Sequence, residues 1–403
     1  MSAAREDFPP RQTPLALDGH PWRRRLREAA ARLGLLGFGL CVGLLVAELA
    51  LRIHDPLGQR LLGERILLPY NVRYVITQPG NPKLEPVVVN TRNALGFRGE
   101  DPPADFDRRL TVLAVGGSTT ECRHLNDGKD WPSLLGRRLA AQFRDLWINN
   151  AGLDGHSTFG HVRLMEQRVV RLRPKLVLFL FGINDLARNN LKYQDGALTD
   201  RPDLGAWAWL VSTTARHSVV ASTLLNLRRG MAAAQARLDQ PALDLRSLPV
   251  ARPGRRRSEQ IVQSYREEFL PAYRERIERL LQLSRQAGAR PVLLTQPALY
   301  GPAVDDATGI DLGFIEVDPE DGVNGRLAWK ILEAYNDVVR EVGRAEGVPV
   351  VDLARRLPKS SRLFYDFVHF TNEGAAAVAE SVAGELCGVL AREFGAFQTA
   401  ACP

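Results

Sequence analysis

Two kinds of hydrophobic pattern alternate along most of this chain. Short, nearly continuous apolar runs at Leu110 to Val115, Leu146 to Asn149, Leu176 to Phe181, Pro291 to Thr295 and Val348 to Val351 have the length of strands buried on both faces. Between them lie amphipathic tracts of helical period: Trp131 to Phe143, Ser258 to Ala287, Leu327 to Glu346 and Glu373 to Phe394. Ser258 reads as the N-cap of its helix, with acidic Glu259 just inside. Strand and helix in alternation predict an α/β domain with a parallel sheet covered on both faces through right-handed crossovers. In such a sheet the functional crevice lies beyond the carboxyl ends of the strands.

Three stretches depart from this alternation. Leu33 to Leu51 is apolar except for Glu48, which is long enough for one spanning helix; a buried core helix is the alternative. The residues around Ala47 to Ala50 do not offer the small pair of a cleavage site, so an uncleaved anchor is expected. Residues 1–32 are then a tail, 33–52 a transmembrane anchor, 53–108 a lead-in punctuated by Pro79-Gly80 and Pro102-Pro103, and 109–398 the main domain. The third departure is an insertion at about 189–257 carrying Trp207, Trp209 and the basic run Arg252 to Arg257. It reads either as a lid or membrane-facing element, or as a surface excursion packing its own aromatics.

Composition changes this picture in two places. The net charge of +7 comes from Arg spread along the chain rather than gathered in a stripe, so no nucleic-acid footprint is read. Arg23, Arg24, Arg25 and Arg27 precede the apolar stretch while Arg52, Arg60 and Arg65 follow it, which favours a cytoplasmic N-terminus and a main domain outside the cytoplasm. Cys41, Cys122, Cys387 and Cys402 show no CxxC spacing, so neither a zinc site nor a disulfide framework is indicated.

Candidate chemistry gathers at the strand ends. The first strand runs into Gly116-Gly117-Ser118, where two glycines let the chain turn sharply and a hydroxyl project; an ordinary helix cap has the same look. The second ends in Asn149-Asn150-Ala151-Gly152-Leu153-Asp154-Gly155-His156, and a backbone N–H there can face a developing oxyanion. The third ends in Gly182-Ile183-Asn184-Asp185, which puts a side-chain amide at the same edge. Just before the last helix, Asp366 and His369 are spaced so that the carboxylate can orient the imidazole. His156 either lines a pocket or is a solvated turn residue. Glu121 and His124 lack a third ligand for a metal, and Cys122 is expected to pack as a small apolar residue.

Together the four segments resemble the SGNH hydrolase family, also called GDSL esterases and lipases, throughout residues 110 to 390 apart from the insertion. Asn93 to Gly99 and Trp131-Pro132 look like stretches in its bacterial, membrane-anchored members, and are read as structural. The resemblance implies an α/β fold of three-layer α/β/α type, a flavodoxin-like parallel sheet of about five strands. It makes Ser118 the nucleophile, His369 the general base and Asp366 its orienting carboxylate, without metal or cofactor. The oxyanion hole would be the N–H groups of Ser118 and Gly155, the latter standing five places after Asn150, with the amide of Asn184. One departure stands out: the family's GDS reads Gly116-Gly117-Ser118 here, so the Asp before the nucleophile is missing.

The activity expected is hydrolysis of carboxylic esters, of which O-acyl groups on envelope glycans or lipids suit a membrane-anchored enzyme. Acyl transfer to polysaccharide and an inactive binding or scaffold protein are the rivals. Oligomeric state is not readable.

Overall fold

In the computed structural model all five apolar runs form one parallel sheet, because strands covered on both faces need apolar side chains in both directions. The structure describes residues 21–53, 61–62, 65–78, 80–186, 213–215, 217–225, 227, 243–319 and 322–403. The strands are β1 (Leu110–Gly116), β2 (Leu146–Asn150), β3 (Leu176–Leu180), β4 (Arg290–Leu294) and β5 (Val350–Val351), in the order β5-β4-β3-β1-β2. This is the flavodoxin-like order, in which the chain reverses direction across the sheet between β1 and β3.

The two faces of β1 show how the layers form. Leu113 and Val115 point into one core with α2 (Thr158–Leu164), α4 (Leu270–Gln286) and α5 (Gly325–Glu346). Leu110, Val112 and Ala114 point into the other, with α1 (Trp131–Leu139) and α6 (Asn372–Glu393). Helices on both faces make the three layers.

The tract Ser258 to Ala287 is two helices rather than one. Here α3 (Arg255–Glu268) ends at Phe269 and α4 restarts with Pro271 in its first turn, where a missing N–H costs nothing. Ser258 is not the cap: α3 begins after Gly254, and the Ser258 hydroxyl instead donates to the Gly254 carbonyl at 3.1 Å.

Cys387 and Cys402 form a disulfide, with Cα atoms 5.7 Å apart. It ties α6 to the C-terminal segment and corrects the expectation that no such bridge is indicated; a separation of 15 residues gives no spacing signature.

The chain divides into two units, Met1–Pro56 and Leu57–Pro403. The first contains the helix Pro21–Ile53, of which Arg25–Ile53 has a mean hydropathy of 2.2 and meets the length and apolarity needed to cross a membrane. Along it Leu35 and Phe38 are exposed. The only other described helix of that kind, α6, is half-buried in the second unit's core. In that second unit most of the lead-in is built into the domain. Val72–Thr77 pairs antiparallel with Val87–Arg92, and Ile66, Leu68 and Phe97 are buried in the core shared with Leu113 and Val115. Pro79, Trp207 and Trp209, with most of the insertion before Leu243, lie outside the described residues.

Candidate active site

The β1 strand delivers Ser118 to the carboxyl edge of the sheet, beside the β1/β3 reversal. Gly116 has to be glycine: a Cβ there would lie 2.1 Å from Thr120 Oγ1 and 2.5 Å from the Leu180 carbonyl. Ser118 opens a short helical turn, Ser118–Glu121, which ends at Cys122 in the left-handed region with φ 48°. Arg98, buried at 1% exposure, closes the carbonyl end of that turn. Its guanidinium donates to Glu121 O at 2.7 Å, Cys122 O at 2.6 Å and Leu125 O at 2.9 Å, supplying acceptors that a helix end leaves open. Glu121 is buried too, paired with Arg92 and accepting the Asp154 N–H. The Trp131 indole donates to Thr119 O at 3.1 Å. The Ser118–Glu121 turn is therefore gripped by the lead-in and by the first turn of α1.

The second loop is arranged by Asn150, whose amide donates to Thr120 O at 2.7 Å and to Asp130 Oδ1 at 3.0 Å. Its carbonyl oxygen accepts the Gly152 N–H at 2.9 Å. Gly152 is thus committed, and a Cβ on it would strike the Glu121 nitrogen at 2.2 Å. Gly155 has φ 73° and stands between Asp154, which lines the pocket, and His156. His156 is buried at 1% exposure, so it is not a solvated turn residue, and it is not among the pocket-lining residues.

The third loop begins at Gly182, φ 126°, and places Asn184 Nδ2 2.8 Å from the His156 carbonyl, to which it donates. That bond holds the amino end of the amide beside Gly117. A Cβ on Gly117 would lie only 2.5 Å from this same nitrogen and 2.9 Å from His156 O. The absent Asp therefore has a structural counterpart: Asn184 and the second loop occupy the space its side chain would need. Asp185 is buried and ties the second loop to the third, accepting from the Thr158 hydroxyl at 2.5 Å at the start of α2.

The fourth segment is a tight loop before α6, closed by Tyr365 N–H donating to His369 O at 3.0 Å. Asp366 Oδ1 accepts the Val368 and His369 N–H groups at 2.8 and 2.7 Å, and its Oδ2 lies 2.6 Å from His369 Nδ1. His369 Nε2 is 2.7 Å from Ser118 Oγ. Lys83 of the lead-in donates to Ser361 O and Phe364 O at 2.9 and 3.1 Å and so steadies this loop. Thr371 caps α6 through Gly374 N–H at 3.1 Å.

Electrostatics follow the geometry. Burial alone would raise Asp366, but the charge and hydrogen bond of His369 and two backbone N–H donors hold it below the usual carboxylate value. Burial would lower His369, but the Asp366 charge and hydrogen bond raise it above 6.5. A hydroxyl, an imidazole and an ionised carboxylate in this series can transfer a proton from the hydroxyl while keeping the imidazole in one tautomer. Cys122 is inert beside them, since burial pushes its thiol up to about 12.

The cavity at Ser118 is lined by Cys122, Arg123, His124, Leu125, Asp154, Tyr365, His369 and Phe370. Among the described residues no group of His, Cys, Asp and Glu is placed to hold a metal. The sequence pattern brought out Ser118, Asn184, Asp366 and His369, which meet here, but not Gln78, Lys83, Arg92 or Tyr365. These come from the lead-in or sit beside a motif, and no spacing rule singles them out.

Residues 114–377 match the model of the GDSL-like lipase/acylhydrolase family. No curated protein is significantly similar in sequence. Among solved structures, the acetylxylan esterase Axe2 of Geobacillus stearothermophilus is 16% identical over 68% of this chain and 93% of its own, with a TM-score of 0.38. LAE5, an alpha/beta hydrolase from the metagenome of Lake Arreo, Spain, is 16% identical over 69% of this chain and 96% of its own, with a TM-score of 0.39. With more than half of its length matched by the family model, the chain belongs to the GDSL-like lipase/acylhydrolase family, the SGNH hydrolases, and is a serine ester hydrolase.

Proposed function

We propose that Ser118 is the nucleophile, His369 the general base and then acid, and Asp366 the carboxylate that orients it. The observation carrying this reading is the unbroken series from Ser118 Oγ to His369 Nε2 at 2.7 Å and from His369 Nδ1 to Asp366 at 2.6 Å. Ser118 Oγ bonds to the acyl carbon as its proton passes to His369 Nε2. The leaving alkoxide then departs with that proton, giving the acyl-enzyme and the free alcohol. Water attacks the acyl carbon, loses its proton to His369, and Ser118 leaves as the hydroxyl, releasing the acid. The oxyanion is received by the N–H groups of Ser118 and Gly155 and the Asn184 amide.

The enzyme acts outside the cytoplasm, held by its N-terminal helix, on O-acyl groups of envelope glycans or lipids. The apolar span Arg25–Ile53, the arginines before it and the Cys387–Cys402 bridge, which suits an oxidising compartment, support this location.

The test is fluorophosphonate labelling of the full chain in detergent. Wild-type protein is labelled and Ser118→Ala is not; labelling that persists in Ser118→Ala overturns the assignment. With an acetyl donor and an oligosaccharide both present, free acetate is the expected product, and acetylated sugar in its place would mean acyl transfer.

A further inference from the structure

Beside Ser118 the cavity holds a second imidazole that the proposed relay does not use. His124 follows the left-handed turn at Cys122 and lines the cavity together with Ser118 and His369. Its Nδ1 lies 2.6 Å from Gln78 Oε1. Gln78 cannot be flipped without loss, because its amino group donates to Glu85 O at 2.9 Å and to His124 O at 3.2 Å. The oxygen end therefore faces the ring, and an amide oxygen only accepts. The hydrogen-bond network thus assigns the proton to His124 Nδ1 and makes Nε2 an acceptor. Burial and the neighbouring Arg123 charge hold His124 below 6.5, consistent with a neutral ring. The ring meets Tyr365 edge-on, with centroids 6.1 Å apart, which fixes it further.

We propose that His124 is a specificity-determining residue: its Nε2 accepts a hydrogen bond from a hydroxyl of the alcohol part of the ester, so that polyhydroxy alcohols are preferred over alkyl ones. This rests on the reading of Ser118 as nucleophile, because it places His124 beside the reacting ester. The lining supports the class of substrate. Arg123, His124 and Asp154 are among the residues lining this cavity, beside the apolar Cys122, Leu125 and Phe370, so it offers polar partners that a hydroxylated alcohol can use and an alkyl one cannot. Gln78, which sets the tautomer, lies outside the family match, so the device belongs to this chain's lead-in.

The experiment compares kcat/KM of the full chain in detergent on 1-monoacetin and on propyl acetate, esters with the same acyl group that differ in two hydroxyls. The wild type prefers monoacetin. His124→Phe lowers kcat/KM on monoacetin by about tenfold, the worth of one hydrogen bond, and leaves propyl acetate nearly unchanged. His124→Gln, which keeps a side-chain acceptor, retains more of the preference and serves if the Phe variant does not fold. Fluorophosphonate labelling at the wild-type rate shows the relay intact in each variant. An equal loss on both esters, or none on monoacetin, with labelling intact, overturns the role of His124 alone. If the wild type turns over neither ester, or Ser118→Ala still hydrolyses them, both this inference and the nucleophile assignment fall.

Discussion

Tyr365 lies flat against His369, with ring centroids 5.6 Å apart and planes 13° from parallel. The tyrosine thus limits the swing of the imidazole between Asp366 and Ser118. Replacing Tyr365 by Phe keeps the stack, and kcat/KM on a short-chain ester is expected to stay close to wild type. Replacing it by Ala frees the ring, and a loss of about tenfold or more in kcat is expected from misplacement alone.

The pH dependence follows from His369. In the proposed relay it must be neutral to accept the Ser118 proton, and Asp366 raises it above 6.5, so activity is expected to fall as pH drops through a value higher than that of an ordinary histidine. In Asp366→Asn the raising charge is gone while burial remains, so the acidic limb moves to lower pH. Turnover at the plateau should drop on the order of 10⁴-fold through loss of the correct tautomer. A pH profile of kcat/KM for both proteins checks the sign of the shift.

Gly117 offers a test of the missing Asp. Restoring it by Gly117→Asp puts a side chain where Asn184 Nδ2 already lies 2.5 Å from a Cβ, so activity should fall rather than rise. Asn184→Ala is expected to lose on the order of a hundredfold in kcat, as when one oxyanion donor is removed. Adding Gly117→Ala to that variant should cost less than Gly117→Ala costs alone, because part of the collision has gone. Equal costs in the two backgrounds would show that the residues do not compete for space.

Stability predictions concern the two covalent or ionic ties. Glu121→Gln removes the carboxylate charge paired with buried Arg92 and is expected to destabilise by about 3–5 kcal/mol, read in denaturant unfolding. Cys402→Ser opens the bridge to Cys387, whose sequence separation is 15, and should cost about 3 kcal/mol. Dithiothreitol should bring the wild type to the same stability and leave Cys402→Ser unchanged.

The five strands were legible because a strand buried on both faces must be apolar throughout, and short runs of that kind alternate with helical tracts. Ser118, Asn184, Asp366 and His369 were legible because each ends a strand or precedes a helix at one sheet edge. The lead-in was not, apart from Asn93 to Gly99, which resemblance alone marked as structural. Its contributions are made by Arg92 and Arg98, a residue type that ordinarily stays in water, and their burial depends on carbonyls and a carboxylate far along the chain. The tautomer of His124 likewise depends on Gln78, 46 residues away, which no local period can reveal.

The grip of the lead-in on the Ser118–Glu121 turn means that the smallest separable enzyme is larger than the stretch matched by the family. A fragment begun at residue 114 would carry every member of the proposed relay. It would also strand Glu121 as a buried carboxylate without Arg92, leave the carbonyls of Glu121, Cys122 and Leu125 without the Arg98 donors, and release the loop that Lys83 pins. In this protein, the segment that precedes the family-matched stretch is also the outer support of the two loops that carry Ser118 and His369.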